Sequence, residues 1–143
     1  MAEAAGKLEQ MGVKLLDINF GCPAPKITGN GEGSALLENP LLAEKIVKEC
    51  VKSGKVITVK FRIGIDDTHY VTTEFAKRME GAGASLITIH GRTKDKIYAG
   101  EVNYKEIASA KNALQIPVIA NGDIVSTETA LRCLKWTNAD GLM

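Results

Sequence analysis

VITVKFR, Val56 to Arg62, reads as a β-strand set between Gly54 and a loop holding Gly64, Asp66 and Asp67. Side chains alternate along a strand. Ile57, Val59 and Phe61 therefore share one face, and Thr58, Lys60 and Arg62 share the other. An apolar face of this kind packs on helices, which turns Lys60 toward the opposite side of the sheet. Further strands read outward from this one. Val13 to Ile18 is continuously apolar except at Lys14 and Asp17 and ends abruptly in Asn19, Phe20, Gly21, Cys22 and Pro23. Leu86 to His90 (LITIH) is followed by Gly91-Arg92-Thr93, and Pro117 to Ala120 by Asn121-Gly122-Asp123. Ala139 to Met143 reads as the beginning of another strand.

Helical stretches alternate with these strands. Residues 2 to 11 are good helix formers with Gly12 as a C-cap. Ser34 to Glu38 suits a helical turn. Asn39-Pro40 starts a longer helix, with an amide at the N-cap and proline in the first turn. On that helix Leu42, Ile46, Val47, Cys50 and Val51 recur at helical spacing, which makes Cys50 a packed small hydrophobe. Tyr70 to Glu80, Tyr104 to Asn112 and a segment from Ser126 to about Lys135 complete the set.

The polar strand ends provide a ruler. Lys60, His90 and Asn121 are separated by 30 and 31 residues, and Asn19 precedes Lys60 by 41 because the glycine-rich Cys22 loop takes extra length. Regular units that each place a polar residue at a strand's C-terminal end fit a β/α barrel, whose active sites assemble on that face. The expected fold class is α/β: a partial TIM (β/α)8 barrel of about five parallel strands with intervening helices. A doubly wound open sheet is the rival. A whole barrel takes about 250 residues, so the 143 residues here predict an incomplete barrel domain. Its two open sheet edges are sites for self-association.

Composition narrows the function. The net charge of +1 and the 24% charged residues do not suggest a general nucleic-acid binder. Three widely spaced cysteines, Cys22, Cys50 and Cys133, show no metal-ligand spacing and fit a reducing compartment. No run approaches the 18 or so apolar residues of a membrane span, and the N-terminus carries no basic-then-apolar leader. The expected location is cytoplasmic. With only His69 and His90 in the chain, a multi-histidine metal centre is not expected.

The strand ends carry the candidate chemistry, each residue with two readings. Cys22 is a working thiol or an incidental one. It lies between Gly21 and Pro23, outside any core pattern. Lys60, turned into a barrel mouth, needs an anion or a strong acceptor. It is either a donor to an electron-rich cofactor ring or the partner of Asp17 in an internal ion pair. His90 is satisfied by local backbone or donates to a ligand, whereas His69 reads as a surface residue. Asn121-Gly122 is a plain turn or a place where a ligand approaches the backbone. GNGEG (29–33) is a weak phosphate-loop signal without the Walker lysine.

Taken in order, DINFGCPAPK (17–26), GEGSALL (31–37), VKFR (59–62), HGRT (90–93), NGDI (121–124) and ADGLM (139–143) resemble the tRNA-dihydrouridine synthase family, especially its bacterial members. The resemblance implies an FMN-binding TIM barrel followed by a helical tRNA-binding domain that is absent from this sequence. It implies reduction of a tRNA uridine to 5,6-dihydrouridine, with NADPH recharging the flavin. Hydride would pass from FMN to C6 of uracil and a proton from Cys22 to C5. By the same resemblance Asn19 contacts the substrate base, and Lys60 and His90 contact the flavin. Asn121 and Gly122 lie near its ribityl-phosphate end. Arg92 helps to hold its loop or meets tRNA. The isolated segment is expected to be inactive, since the first two barrel strands and the later phosphate-binding loop are missing. The alternatives are an FMN-dependent reductase of a free pyrimidine, of the dihydroorotate or dihydropyrimidine dehydrogenase type, and a non-catalytic barrel fragment.

Overall fold

A computed structural model describes residues 12–143; the helix expected over 2–11 lies outside the described residues. Five parallel strands, β1 (Leu15–Phe20), β2 (Val56–Arg62), β5 (Leu86–His90), β6 (Val118–Asn121) and β7 (Gly141–Leu142), form one sheet in that order. Each new strand is added on the same side of the last. Right-handed crossovers then keep every connecting helix on one face. A doubly wound sheet reverses its direction of growth partway, and no reversal occurs here. The arrangement is that of consecutive units of a (β/α)8-type barrel.

The connecting helices are α2 (Pro40–Val51), α3 (Thr72–Gly81), α4 (Tyr104–Ala113) and α5 (Thr127–Thr137), each packed on the next. The caps follow the local chemistry. Asn39 accepts a hydrogen bond from Leu42 N, and Asn103 accepts one from Glu106 N. Ser126 and Thr129 form a reciprocal capping box. Asn138 ends α5 in the left-handed region at φ +51°. A short helix, α1 (Pro25–Thr28), and a 3-10 helix (Gly33–Glu38) fold the long connection after β1.

The core lies between sheet and helices. Ile57, Val59 and Phe61 of β2, Ile87 and Ile89 of β5, and Val118 and Ala120 of β6 are buried on that side. Phe75 of α3 meets Phe20 edge-on at 6.0 Å and Phe61 at 4.9 Å between ring centroids. Cys50 is packed within the same core.

Three expectations are corrected in detail, and one of the two open readings of Lys60 is removed. The first strand is shifted along the chain, to Leu15–Phe20, because its pairing with β2 runs from Leu15–Val56 to Phe20–Phe61. The loop after β2 contains an antiparallel hairpin, β3 (Gly64–Asp66) with β4 (His69–Tyr70). Asp66 drives its turn by accepting bonds from both the backbone N–H and the hydroxyl of Thr68. Tyr70 therefore belongs to the hairpin, and the helix starts at Thr72. The Asp17–Lys60 ion pair does not form; Asp17 accepts a 2.6 Å hydrogen bond from the Thr58 hydroxyl.

Candidate active site

Opposite the helices, strand register arranges polar residues in rows. Asn19 pairs with Lys60, and Lys60 with Thr88, in one row; Arg62 pairs with His90, and His90 with Asn121, in the row nearer the C-terminal ends. The structure thus brings Asn19, Lys60, His90 and Asn121 onto one face. Cys22 stands just past the end of β1, half-buried.

Lys60 is half-buried, and its Nζ makes no hydrogen bond or ion pair among the described residues. Burial pushes its pKa down, and the Arg62 charge adds to that, against a weaker opposing pull from Asp17. His90 is buried, and its pKa is pushed down to about 4 by burial first and then by Arg62, Lys60 and Arg92. At neutral pH the imidazole is uncharged, with one N–H to donate and one nitrogen to accept.

The remaining candidates shape the loops. The Asn19 carboxamide oxygen accepts from Gly21 N at 2.8 Å, turning the chain toward Cys22. The Cys22 carbonyl accepts from Ser34 N at 2.9 Å. Gly33, at φ +57°, lies so close that a Cβ there would meet the Cys22 carbonyl at 2.6 Å. Asn121 donates from Nδ2 to the Met143 carbonyl, tying β6 to β7. Gly122, at φ +131°, leaves room for its neighbours: a Cβ would sit 2.8 Å from Val102 and 3.2 Å from His90.

Arg92 is buried, and its contacts are those of a loop holder. Nε donates to the Ala99 and Gly100 carbonyls, and Nη1 and Nη2 grip the Asp123 carboxylate at 2.8 and 2.6 Å. The guanidinium beside Asp123 holds that carboxyl below its usual range. Sequence reasoning missed two participants, Arg62 and Asp123. Arg62 is buried on the polar face of β2, bonded to backbone carbonyls. Its place on that face is legible in VKFR, but carbonyl partners have no signature in side-chain pattern.

A cofactor ring edge carrying negative charge or acceptors fits this row. Lys60 offers a partly desolvated amine with no partner among the described residues, and neutral His90 offers a donor two strand positions closer to the mouth.

The depressed pKa of His90 predicts a stability change. Above its ordinary value of 6.5 the imidazole is neutral folded and unfolded; between 6.5 and about 4 only the unfolded chain takes the proton. Stability therefore falls as pH drops through that window, by roughly 3 kcal/mol at its lower end. Urea unfolding of the whole protein and of a His90→Gln variant at pH 7 and 4.5 checks this, with the expected difference being a shallower pH slope in the variant. Equal slopes would remove His90 as the cause.

Consecutive parallel β/α units with their polar residues gathered at the C-terminal ends define a β/α-barrel protein. The profile of the dihydrouridine synthase (Dus) family matches residues 1–143. A probable tRNA-dihydrouridine synthase 1 from Synechocystis is 51% identical over 144 residues, covering 100% of this chain and 41% of that protein. A tRNA-dihydrouridine synthase B from Pasteurella multocida is 44% identical, covering 100% of this chain and 43% of the relative. The chain belongs to the dihydrouridine synthase family, and it spans less than half the length of these curated relatives. Among solved structures, a putative phosphonomutase from Burkholderia cenocepacia superposes with a TM-score of 0.72 at 17% identity, covering 99% of this chain and 63% of the other. At that identity the likeness establishes the fold alone. Among the described residues no helix is long and apolar enough to cross a membrane.

Proposed function

We propose that the whole protein is a tRNA-dihydrouridine synthase, working on tRNA in the cytoplasm, and that this segment carries its proton donor and part of its flavin site. The observation that carries this reading is Lys60, a half-buried amine without a partner among the described residues, in one row with Asn19 and below the Cys22 loop. Bound FMN, recharged by NADPH, would supply hydride to C6 of the target uracil. Lys60 Nζ would donate to the ring edge that gains negative charge, a stabilising contact that a preformed donor makes without reorganisation. His90 would donate from its single N–H, and Asn121 and Gly122 would border the ribityl-phosphate end. Cys22 would hold the proton at Sγ and release it to C5. Asn19, with its carboxamide oxygen engaged by Gly21, would present its NH2 to the base. A helical domain outside this segment would bind the tRNA.

The test is incubation of the whole protein with NADPH and either unmodified tRNA or free uracil and orotate, read by mass spectrometry. Dihydrouridine in tRNA, with the free pyrimidines unchanged, is the expected result. Turnover of a free pyrimidine without reaction on tRNA would overturn the proposal in favour of a free-pyrimidine reductase.

A further inference from the structure

Arg62 ends β2 and Arg92 follows β5, and the two are almost equally buried, with 3% and 6% of their surface exposed. Their partners differ in kind. Arg92 is neutralised by Asp123, whereas Arg62 forms no ion pair among the described residues. Its Nε donates to the Gly21 carbonyl at 3.0 Å, and its Nη1 to the carbonyls of Thr93 at 3.1 Å and Ile97 at 2.8 Å. The exposed Tyr98 ring stands 5.9 Å from the guanidinium carbon. A buried cation without a carboxylate is costly unless its donors are satisfied in a fixed geometry. Here that geometry reaches the backbone of two loops 70 or more residues apart in sequence.

The position of those carbonyls gives the arrangement its meaning. Gly21 O belongs to the peptide group that carries the Cys22 nitrogen. Gly21 also lies hard against β2, where a Cβ would meet Phe61 Cα at 3.4 Å. On the far side of the thiol, Ser34 N and the close-packed Gly33 hold the Cys22 carbonyl. Ile97 has φ +54°, a conformation that a β-branched residue adopts only when its surroundings impose it. Its carbonyl is the one that Arg62 holds at the shortest distance. We propose that Arg62 is a positioning residue for Cys22: one guanidinium clasps the backbone before the thiol to the strained 93–97 segment, so that both loops hold the thiol as a unit. That the held thiol is a proton donor rests on the function proposed above; the clasp itself rests on the hydrogen bonds.

Lysine cannot replace this fork, since it offers a single point of donation. The test uses Arg62→Met and Arg62→Lys in the whole protein, with two independent readouts. The first is hydrogen–deuterium exchange. Exchange is expected to rise about tenfold or more in residues 20–34 and 93–100 together, with α4 unchanged. The second separates the half-reactions. In Arg62→Lys, which keeps the charge felt by Lys60 and His90, reduction of the bound flavin by NADPH should change by no more than about twofold, while reoxidation by tRNA slows by about 10²-fold, the cost of misplacing a reacting group by roughly 1 Å. Arg62→Lys also keeps the stem and should show the same exchange pattern if Arg62→Met does not fold. Exchange rising in one loop only, or in neither, overturns the clasp. Equal losses in both half-reactions overturn its link to Cys22. A protein inactive on tRNA whose two loops still loosen together sinks the proposed activity and leaves the clasp standing.

Discussion

Replacing Cys22 by alanine in the whole protein is expected to slow transfer to tRNA uridine by roughly 10²–10⁴-fold, the usual contribution of a positioned general acid. Reduction of the flavin by NADPH should be unaffected, because the role proposed for the thiol falls in the other half-reaction. The structure makes the comparison clean. Cys22 is free and half-buried, whereas Cys50 and Cys133 are buried in the core with their thiols pushed up in pKa by desolvation. Neither is placed to substitute for it. Rapid-mixing measurement of flavin reoxidation by tRNA is the appropriate assay. An alanine variant that reoxidises at the parent rate would eliminate Cys22 as the acid. Selective labelling by iodoacetamide provides a check on the starting protein: Cys22 should react well before the other two.

Phe75→Ala should produce the largest loss of stability, about 3–5 kcal/mol, as deletion of a buried aromatic side chain generally does. Phe75 is 1% exposed and contacts both Phe20 and Phe61. Those two residues are register partners, so a single ring from α3 braces the ends of β1 and β2 at once. Phe20 leads directly into Gly21 and Cys22, and Phe61 lies between Lys60 and Arg62. The cavity left by alanine would loosen the support of the thiol loop and of both cations. Urea unfolding of the whole protein measures the loss; a change below about 1 kcal/mol would mean that the neighbouring rings had collapsed into the space.

The strands were legible because burial writes itself into alternation. In VITVKFR every second residue faces the helices, and the element is observed with the expected ends. The helix starts at Asn39 and Ser126 were legible for a similarly local reason, since a short polar side chain there bonds its own backbone. The hairpin over 64–70 was missed because its two strands are too short to show a period. The two arginines divide along the same line. Lys60 and His90 announced themselves by position, but which cation finds a carboxylate is a long-range fact. Arg92 meets Asp123 across 31 residues, and Arg62 reaches Gly21 across 41. Nor does any local pattern foretell the positive φ of Ile97, which depends on what holds its carbonyl.

The loop after β5 is fastened to its surroundings largely through peptide groups. Arg62 grips the Thr93 and Ile97 carbonyls, and the Lys94 and Asp95 amides donate to the Gly64 and Ile65 carbonyls of the hairpin. Peptide groups are common to nearly all residue types, so these attachments are blind to side-chain identity. Substitution of Lys94 or Lys96 gives up a surface ion pair, to Glu38 or Asp67, and leaves the peptide contacts in place, whereas Tyr98 stands over the Arg62 guanidinium and is less free to change. Proline is the exception: at 94 or 95 it removes the N–H that the hairpin accepts. The position of the rim thus rests on its peptide groups, while surface ion pairs of small individual worth set what it displays.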